Sequence, residues 1–177
     1  SSERLQFEIK YFYLSSNQIE NIAEGFLDNF LNLAHFDMSQ NRLRHLDELL
    51  FLKVSKLAYL NLSHNHIRNL SINNFKNLDN LLILDLSSND IETLDKNLFK
   101  GLKNIRKIKL NSNKISHIPR ELFSNLFNLN ELDIGLNRIR LIENEAFKNL
   151  HELKILNINS NLIDKLNNDL GLLILIK

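Results

Sequence analysis

The sequence predicts a solenoid of the α/β repeat type, in which each turn of the chain adds one short strand to a parallel sheet. Asparagines recur every 24 residues without a gap, at Asn17, Asn41, Asn65, Asn89, Asn113, Asn137 and Asn161. Apolar residues hold fixed places around each of them. Only four glycines and one proline occur in 177 residues, so a regular repeat must organise the turns that glycine and proline usually provide.

The first half of each repeat predicts a strand. The frame around Asn89 reads LLILDLSSNDI from residue 81 to residue 91, and its first, fourth, sixth and eleventh residues are apolar. Leu84 and Leu86 should therefore point into a core, while Ile83 and Asp85 point out of it. This period of two predicts a strand of about three to five residues in every repeat.

The asparagine at position 9 of the repeat interrupts an apolar face. The chain must turn inward after the strand, and each backbone group that it buries without a partner costs about 1–3 kcal/mol. An amide side chain offers both donors and an acceptor, whereas aspartate would lack the donors and bury a charge. We therefore expect the seven asparagines to form a buried ladder that bonds backbone groups of their own and adjacent repeats.

The second half of the repeat is apolar at positions 14, 19 and 22. Phenylalanine occupies position 19 in five successive repeats, as Phe51, Phe75, Phe99, Phe123 and Phe147. We expect these rings to wedge between successive turns as a stacked aromatic spine. Core packing outweighs a hydrophobic ligand pocket as the interpretation of this stripe.

The repeat frame divides the chain into residues 1–8, a degenerate flank or partial repeat, and residues 9–177, which hold seven repeats. Repeats start near residues 9, 33, 57, 81, 105, 129 and 153. The last repeat diverges, since Gly171 stands where phenylalanine is expected and the apolar run LLILIK follows. Polar capping repeats, which solenoids need for solubility, are missing, so we expect them outside this sequence.

The frame resembles the typical 24-residue class of leucine-rich repeats, LxxLxLxxNxLxxLxxxxFxxLxx, over residues 9–169. The resemblance implies a horseshoe arc with a parallel concave sheet and a convex side of turns and short 3-10 segments. In animals this class is common in extracellular proteins, such as the ectodomains of Toll and Toll-like receptors, chaoptin-like adhesion proteins and Slit-like guidance proteins. It implies recognition of a protein by an extracellular or cell-surface receptor. A cytoplasmic leucine-rich scaffold or adaptor is the alternative.

Positions 3 and 5 of each repeat should face outward on the concave sheet, and they form the candidate surface for a protein partner. They are Tyr11, Tyr13, His35, Asp37, Tyr59, Asn61, Ile83, Asp85, Lys107, Lys109, Glu131, Asp133, Ile155 and Asn157. All three tyrosines fall here; tyrosine is enriched at binding hot spots but also favours strands. Because Lys109 lies between Asp85 and Asp133 on neighbouring strands, a self-neutralising charge ladder is favoured over a polyanion site.

Composition and motifs argue against chemistry. The net charge of +1 makes no electrostatic case for a nucleic-acid partner. No glycine-rich phosphate loop or Gly-x-Ser-x-Gly motif occurs, and carboxylate pairs such as Glu131 and Asp133 lie on an open sheet rather than in a water-excluded cleft. We therefore expect neither enzyme activity nor a cofactor.

Two further features carry weaker signals. His64 and His66 could hold a metal ion with help from a neighbouring repeat, but polar residues at the lip of a strand are the stronger interpretation. Asn61 and Asn69 lie in N-glycosylation sequons and are candidates if the protein is secreted. No apolar run approaches the ~20 residues of a membrane helix, so we expect any membrane attachment to come from a segment outside this sequence.

Overall fold

The structure of the protein is a computed structural model that describes residues 8–165. Nine short strands joined by turns make up this part of the chain, and it contains no helix. The strands are β1 (Tyr11–Tyr13), β2 (His35–Asp37), β3 (Tyr59–Asn61), β4 (Ile83–Asp85), β5 (Lys107–Lys109), β6 (His117–Ile118), β7 (Glu131–Asp133), β8 (Leu141–Ile142) and β9 (Ile155–Asn157).

Seven of the strands form one parallel sheet in the order β1-β2-β3-β4-β5-β7-β9. Each strand pairs with the next at a constant offset of one repeat, so that Tyr59 lies opposite Ile83 and Leu60 opposite Leu84. The middle residue of the inner strands is buried and its neighbours are mostly half-exposed, as the alternation predicts. The predicted parallel-strand solenoid, with one short strand per repeat, is confirmed.

A second sheet was not predicted. It consists of β6 and β8, which pair in parallel through His117 with Leu141 and Ile118 with Ile142. The backbone N–H of Glu143 extends the pairing by donating to the carbonyl of Ile118 at 3.0 Å. The two-residue strands lie just beyond the turns that follow β5 and β7, where only position 14 is regularly apolar, so the period of two is too short to read from the sequence.

The convex side consists of turns. In the fourth repeat the N–H groups of Leu98, Lys100 and Leu102 each donate to the carbonyl three residues earlier, at 3.0, 3.1 and 3.0 Å. A 3-10 helix needs such bonds at successive residues. Here they occur at alternate residues, so the expected short 3-10 segments take the form of single hydrogen-bonded turns throughout residues 8–165.

The aromatic spine is present in the core. Ring centroids lie 6.3 Å apart between Phe75 and Phe99, 5.8 Å between Phe99 and Phe123, and 5.9 Å between Phe123 and Phe147, with planes within 20° of parallel. Phe51 occupies the same repeat position and is also buried. Stacked rings therefore join successive turns, and the interpretation of this stripe as core is confirmed.

The asparagine ladder bonds the backbone as predicted. Asn89 donates through Nδ2 to the carbonyls of Leu62, Leu86 and Ser87 at 3.0–3.2 Å, and its Oδ1 accepts the N–H of Ile67 at 3.0 Å. Leu62 and Ile67 belong to the preceding repeat. Asn41, Asn65, Asn113 and Asn137 make the same set of contacts and are buried. Asn161 makes the same set but is only half-buried. The prediction of a buried rung is wrong for Asn17, which is exposed and donates only to carbonyls of its own repeat, at 3.1 and 3.2 Å, because no described repeat precedes it.

The turn into the ladder uses left-handed backbone without glycine. The residue before each ladder asparagine has φ between 51° and 58°. These residues are Ser16, Gln40, His64, Ser88, Ser112, Leu136 and Ser160. A left-handed conformation costs an L-residue roughly 1–2 kcal/mol, and the bonds of the adjacent asparagine hold it in place.

The domain boundaries at the two ends fall almost wholly outside the described residues. Of the predicted flank, residues 1–8, the structure describes Glu8 alone. The divergent part of the last repeat, including Gly171 and the run LLILIK, also lies outside residues 8–165.

Candidate protein-interaction surface

The structure places the fourteen predicted concave residues on one face of the seven-stranded sheet, in two parallel rows. The position-3 row runs Tyr11, His35, Tyr59, Ile83, Lys107, Glu131, Ile155, and the position-5 row runs Tyr13, Asp37, Asn61, Asp85, Lys109, Asp133, Asn157. Strand pairing fixes the spacing within each row at about 4.8 Å. The surface is therefore a rigid array of side chains.

One of these residues is not exposed as predicted. Asp85 is only 7% exposed. Its Oδ1 accepts hydrogen bonds from the N–H and the Oγ–H of Ser87 at 3.0 and 2.6 Å, and Lys109 Nζ lies 3.1 Å from its Oδ2. Asp85 points outward, but these partners cover it.

Four aromatic side chains meet at the N-terminal end of the described sheet, and we call Tyr11, Tyr13, His35 and Tyr59 the aromatic platform. The rings of His35 and Tyr59 stack with centroids 3.9 Å apart and planes 8° from parallel. Tyr11 and Tyr13 lie 6.0 and 5.1 Å from the His35 ring, tilted by 41° and 53°. Tyr11 is 64% exposed and Tyr13 is 60% exposed. The platform joins three strands into one aromatic surface.

Burial and the charge of Asp37 shift the pKa values of two platform residues, His35 and Tyr59. Burial lowers the pKa of His35 below its ordinary value, and the negative charge of Asp37 opposes this effect in part. Burial raises the pKa of the Tyr59 hydroxyl, and the charges of Asp37 and Asp85 raise it further. His35 is therefore mostly neutral, and Tyr59 protonated, near pH 7.

The charge ladder neutralises itself. Lys107 Nζ lies 2.8 Å from Glu131 Oε1, and Lys109 pairs with Asp85. The hydrogen bond to Asp85 is the main reason that the pKa of Lys109 is raised. The favoured interpretation, cross-strand neutralisation, is confirmed for these two pairs. Of its two predicted neighbours, Lys109 pairs with Asp85 alone. Asp133 makes no ion pair within the described part of the chain.

Position 5 also has a structural task that sequence reasoning missed. The Oδ1 atoms of five side chains accept the backbone N–H two residues further on, at 2.8–3.1 Å. These side chains are Asp37, Asn61, Asp85, Asp133 and Asn157. Such Asx-turns end a strand by satisfying a backbone donor. The signal was available, since aspartate or asparagine fills position 5 in every repeat except those of Tyr13 and Lys109.

A family model described as "Leucine rich repeat" matches residues 8–67, 55–115 and 103–163. The chain belongs to the leucine-rich repeat family. No curated protein sequence shows a significant match to it.

Two solved structures share the fold of this leucine-rich repeat chain. The crystal structure of the TLR13–ssRNA13 complex superposes with a TM-score of 0.81 at 26% identity, over 85% of this chain and 21% of that one. A leucine-rich repeat protein of Leptospira interrogans, LIC12759, superposes with a TM-score of 0.82 at 26% identity, over 93% of this chain and 40% of that one. The chain thus spans about a fifth and two fifths of these proteins.

Members of the leucine-rich repeat family bind other molecules and are typically non-enzymatic. A hollow on the flank before the strands is lined by Ala58, Leu82, Arg106 and a row of asparagines. Those asparagines are Asn80, Asn104 and Asn128, and each donates its amide to a carbonyl of the preceding repeat at 2.9–3.1 Å. These hydrogen bonds join successive repeats, so the asparagines that line the hollow have a structural role.

The weaker candidates also have definite places. His66 Nδ1 lies 3.6 Å from Asp90, and within residues 8–165 no three histidine, cysteine or acidic side chains are grouped so as to hold a metal ion. Asn61 lies on the concave face with its Nδ2 3.3 Å from Asp37, whereas Asn69 is exposed on the flank. Helices long and apolar enough to cross a membrane are absent from the described residues.

Proposed function

We propose that this leucine-rich repeat chain binds a protein partner on its concave face, as the ligand-binding or adhesion part of an extracellular or cell-surface receptor. The observation that carries the proposal is the aromatic platform, in which Tyr11, Tyr13 and Tyr59 surround His35 on a rigid sheet. Aromatic anchors of this kind dominate the binding energy of many protein interfaces.

The concave face offers such a partner a continuous contact surface. Seven strands at about 4.8 Å spacing extend for roughly 29 Å, and two outward residues per strand line that length. The platform anchors the N-terminal part of this surface, and the paired charges of Lys107 and Lys109 give the C-terminal part a fixed pattern that orients the ligand.

A protein is favoured over a nucleic acid as the partner. TLR13 is the fold neighbour whose structure contains single-stranded RNA. Phosphate recognition requires cations that are free to replace the counterions of the nucleic acid. On this concave face the two lysines of the outward rows are already paired with Glu131 and Asp85.

We infer that the module is non-enzymatic from the open geometry of the same face. The concave residues form an open array, and acid–base chemistry needs a general acid or base held in a position shielded from water. The carboxylates of Asp37 and Asp133 accept backbone N–H groups at 2.8 and 3.0 Å, which is a structural role. No cofactor enters the proposal.

An extracellular or cell-surface location is supported by the resemblance of the 24-residue frame to receptor ectodomains. Of the two sequons we favour Asn69 as the glycosylated one, because its side chain is exposed and a glycan there would leave the concave face free. The location is tested by tagging the full-length protein in its own cells and labelling the tag before and after permeabilisation. Labelling only after permeabilisation would favour a cytoplasmic scaffold.

Concave docking is tested by photo-crosslinking. A photoreactive residue placed at Ile83, at the edge of the platform, should capture the partner, and the same residue at the exposed convex Lys100 should not. Binding of the captured partner is then measured with Tyr59→Ala, Lys109→Glu and the control Lys100→Glu. Loss of an anchor should weaken binding by at least about 2 kcal/mol. Capture from the convex site alone would overturn the proposal.

A further inference from the structure

We propose that the aromatic platform, with Asp37 at its edge, receives a cationic arginine or lysine side chain of the protein partner. This inference rests on concave docking and specifies the chemistry of what docks there. Three features carry it: the disposition of the rings, the charge of Asp37, which has no ion-pair partner among the described residues, and the neutral state of His35, which would otherwise compete with a ligand cation for Asp37.

The rings present faces in more than one direction. The planes of His35 and Tyr59 are nearly parallel in their stack, while Tyr11 and Tyr13 are tilted by 41° and 53° against His35. Tyr11 and Tyr13 are also the most exposed aromatic side chains of the concave face. A cation within about 6 Å of an aromatic face is attracted by the electrons of the ring, and several faces around one position add to this attraction.

Asp37 supplies a negative charge beside these rings. It lies directly opposite Tyr13 across the β1–β2 pairing and two residues from His35 on the same strand face. Its Oδ1 accepts hydrogen bonds from Ser39, and its Oδ2 accepts one from Asn61 Nδ2 at 3.3 Å. No lysine, arginine or histidine within residues 8–165 forms an ion pair with it.

Asp37 differs in this respect from the other acidic residues of the two outward rows. Asp85 and Glu131 already have lysine partners. Asp133 is unpaired among the described residues, but no aromatic ring lies near it: its strand neighbours are Lys109 and Asn157. Asp37 is therefore the carboxylate of these rows that combines an unpaired charge with exposed aromatic faces.

The electrostatics of the platform fit a cation. Burial raises the pKa of Tyr59, and the charge of Asp37 adds to this effect while that of Lys109 opposes it. Asp37 also opposes the lowering of the His35 pKa by burial, so its negative field reaches both rings. His35 is mostly neutral near pH 7 and does not itself neutralise Asp37. A nucleic-acid base could stack on the rings, but its phosphates would be repelled by Asp37, and a basic protein segment gains from both features.

The test uses two matched peptides, each a twelve-residue glycine–serine sequence with blocked ends. One carries a central arginine and the other a central citrulline, which has the same shape and no charge. Binding is followed by the ring resonances of the three tyrosines, which are few enough to assign by tyrosine-to-phenylalanine variants. We expect the arginine peptide to shift the Tyr13 and Tyr59 resonances saturably, with an affinity about 10-fold higher than that of the citrulline peptide.

Asp37→Asn provides the decisive variant. An asparagine oxygen can still accept the Ser39 N–H, as Asn61 does for Ser63 at 3.0 Å, so the turn is preserved. We expect the affinity for the arginine peptide to fall about 10-fold and that for the citrulline peptide to stay constant. Asp133→Asn is the matched control, because it removes an unpaired carboxylate from the same repeat position without nearby rings, and it should change neither affinity.

Several outcomes would overturn the cation proposal: equal affinity for the two peptides, no shift of the tyrosine resonances, or an equal loss with Asp133→Asn. A single-stranded RNA 12-mer that shifts the same resonances and is indifferent to Asp37→Asn would replace it with base stacking. If these results appear while Ile83 still captures a protein partner, concave docking stands and only the cation is wrong. If Ile83 captures nothing, the proposed function itself fails.

Discussion

Removal of one rung of the asparagine ladder is the most direct test of how this chain folds. Asn113 lies in a central repeat and is buried. Its Nδ2 donates to the carbonyls of Leu86, Leu110 and Asn111 at 3.0, 3.0 and 3.4 Å, and its Oδ1 accepts the N–H of Ile91 at 3.0 Å. Asn113→Ala removes all four bonds without changing the apolar core.

The four bonds do not count equally. The carbonyl of Leu86 is also bonded by Asn89, and that of Leu110 by Asn137, so each keeps one donor after the substitution. The N–H of Ile91 loses the acceptor that the ladder provides, in a residue that is fully buried. An unpaired buried donor costs about 1–3 kcal/mol, and the weakened carbonyls add to this, so we expect Asn113→Ala to cost about 2–3 kcal/mol.

Urea unfolding followed by far-UV circular dichroism measures this cost as a shift of the midpoint at constant slope. Asn130→Ala is the control, since Asn130 is half-exposed and its side chain makes one hydrogen bond, to the carbonyl of Glu152 at 3.0 Å. It should cost about 0.5 kcal/mol, the lower end for a single hydrogen bond. Equal midpoints for the two variants would show that the ladder does not carry the stability assigned to it.

Three further predictions address the spine, the left-handed turn and an ion pair. Phe99→Ala should cost about 3–5 kcal/mol, because it opens a cavity between stacked rings. Phe127→Ala, at a side chain that is 51% exposed, should change the stability by no more than about 0.5 kcal/mol. A lower melting temperature for Phe127→Ala than for Phe99→Ala would contradict the convex register. Leu136→Gly should raise the free energy of unfolding by about 0.5 kcal/mol, because glycine adopts a φ of 52° without strain. The change would appear as a higher urea midpoint, and a lower midpoint would refute it. The hydrogen bond from Lys114 lowers the pKa of Asp90 below its ordinary value, so this pair stabilises the fold above that value and its contribution is lost as the pH falls through the lowered pKa. The cost of Asp90→Asn, about 0.2–1 kcal/mol at pH 7, should therefore decrease as the pH is lowered through this range, and a cost independent of pH would refute this.

The fold was predictable because its main determinants recur at one spacing. A 24-residue period places every Phe99-like ring and every Asn89-like amide in the same environment, and that environment is supplied by copies of the same frame. The parallel sheet, the ladder and the spine follow from this repetition. They require no knowledge of the residues that differ between repeats.

Features that depend on local contacts were not predictable from the period. The β6–β8 sheet rests on two residues per strand. The left-handed residue before each asparagine has no side-chain signature, since serine, glutamine, histidine and leucine all occupy it. Asp85 was expected to be exposed, and its burial results from Ser87 two residues on and Lys109 on the next strand, which contact it together.

The concave residues lie in the two predicted rows, but the 24-residue period does not show that the two rows differ in their backbone hydrogen bonds. The position-3 side chains of the described residues accept no backbone N–H, and they vary from tyrosine to lysine and isoleucine. Position 5 ends the strand, and five of its seven side chains accept a backbone N–H for that purpose. Residues at position 5 are therefore constrained by folding before any ligand acts on them.

The two exceptions at position 5, Tyr13 and Lys109, lack a side chain that can form the Asx-turn. Lysine has no acceptor with which to end the strand, but Lys109 gains an ion pair with Asp85 at 3.1 Å, so the fold is compensated within the sheet. Tyr13 also lacks the short carboxamide or carboxylate of the Asx-turn. Its ring centroid lies 5.1 Å from that of His35, and 60% of its surface is exposed. Local rules of folding are commonly broken at functional sites. Tyr13 breaks one and places an exposed ring beside the unpaired Asp37, which is the arrangement that the proposed cationic ligand group would require.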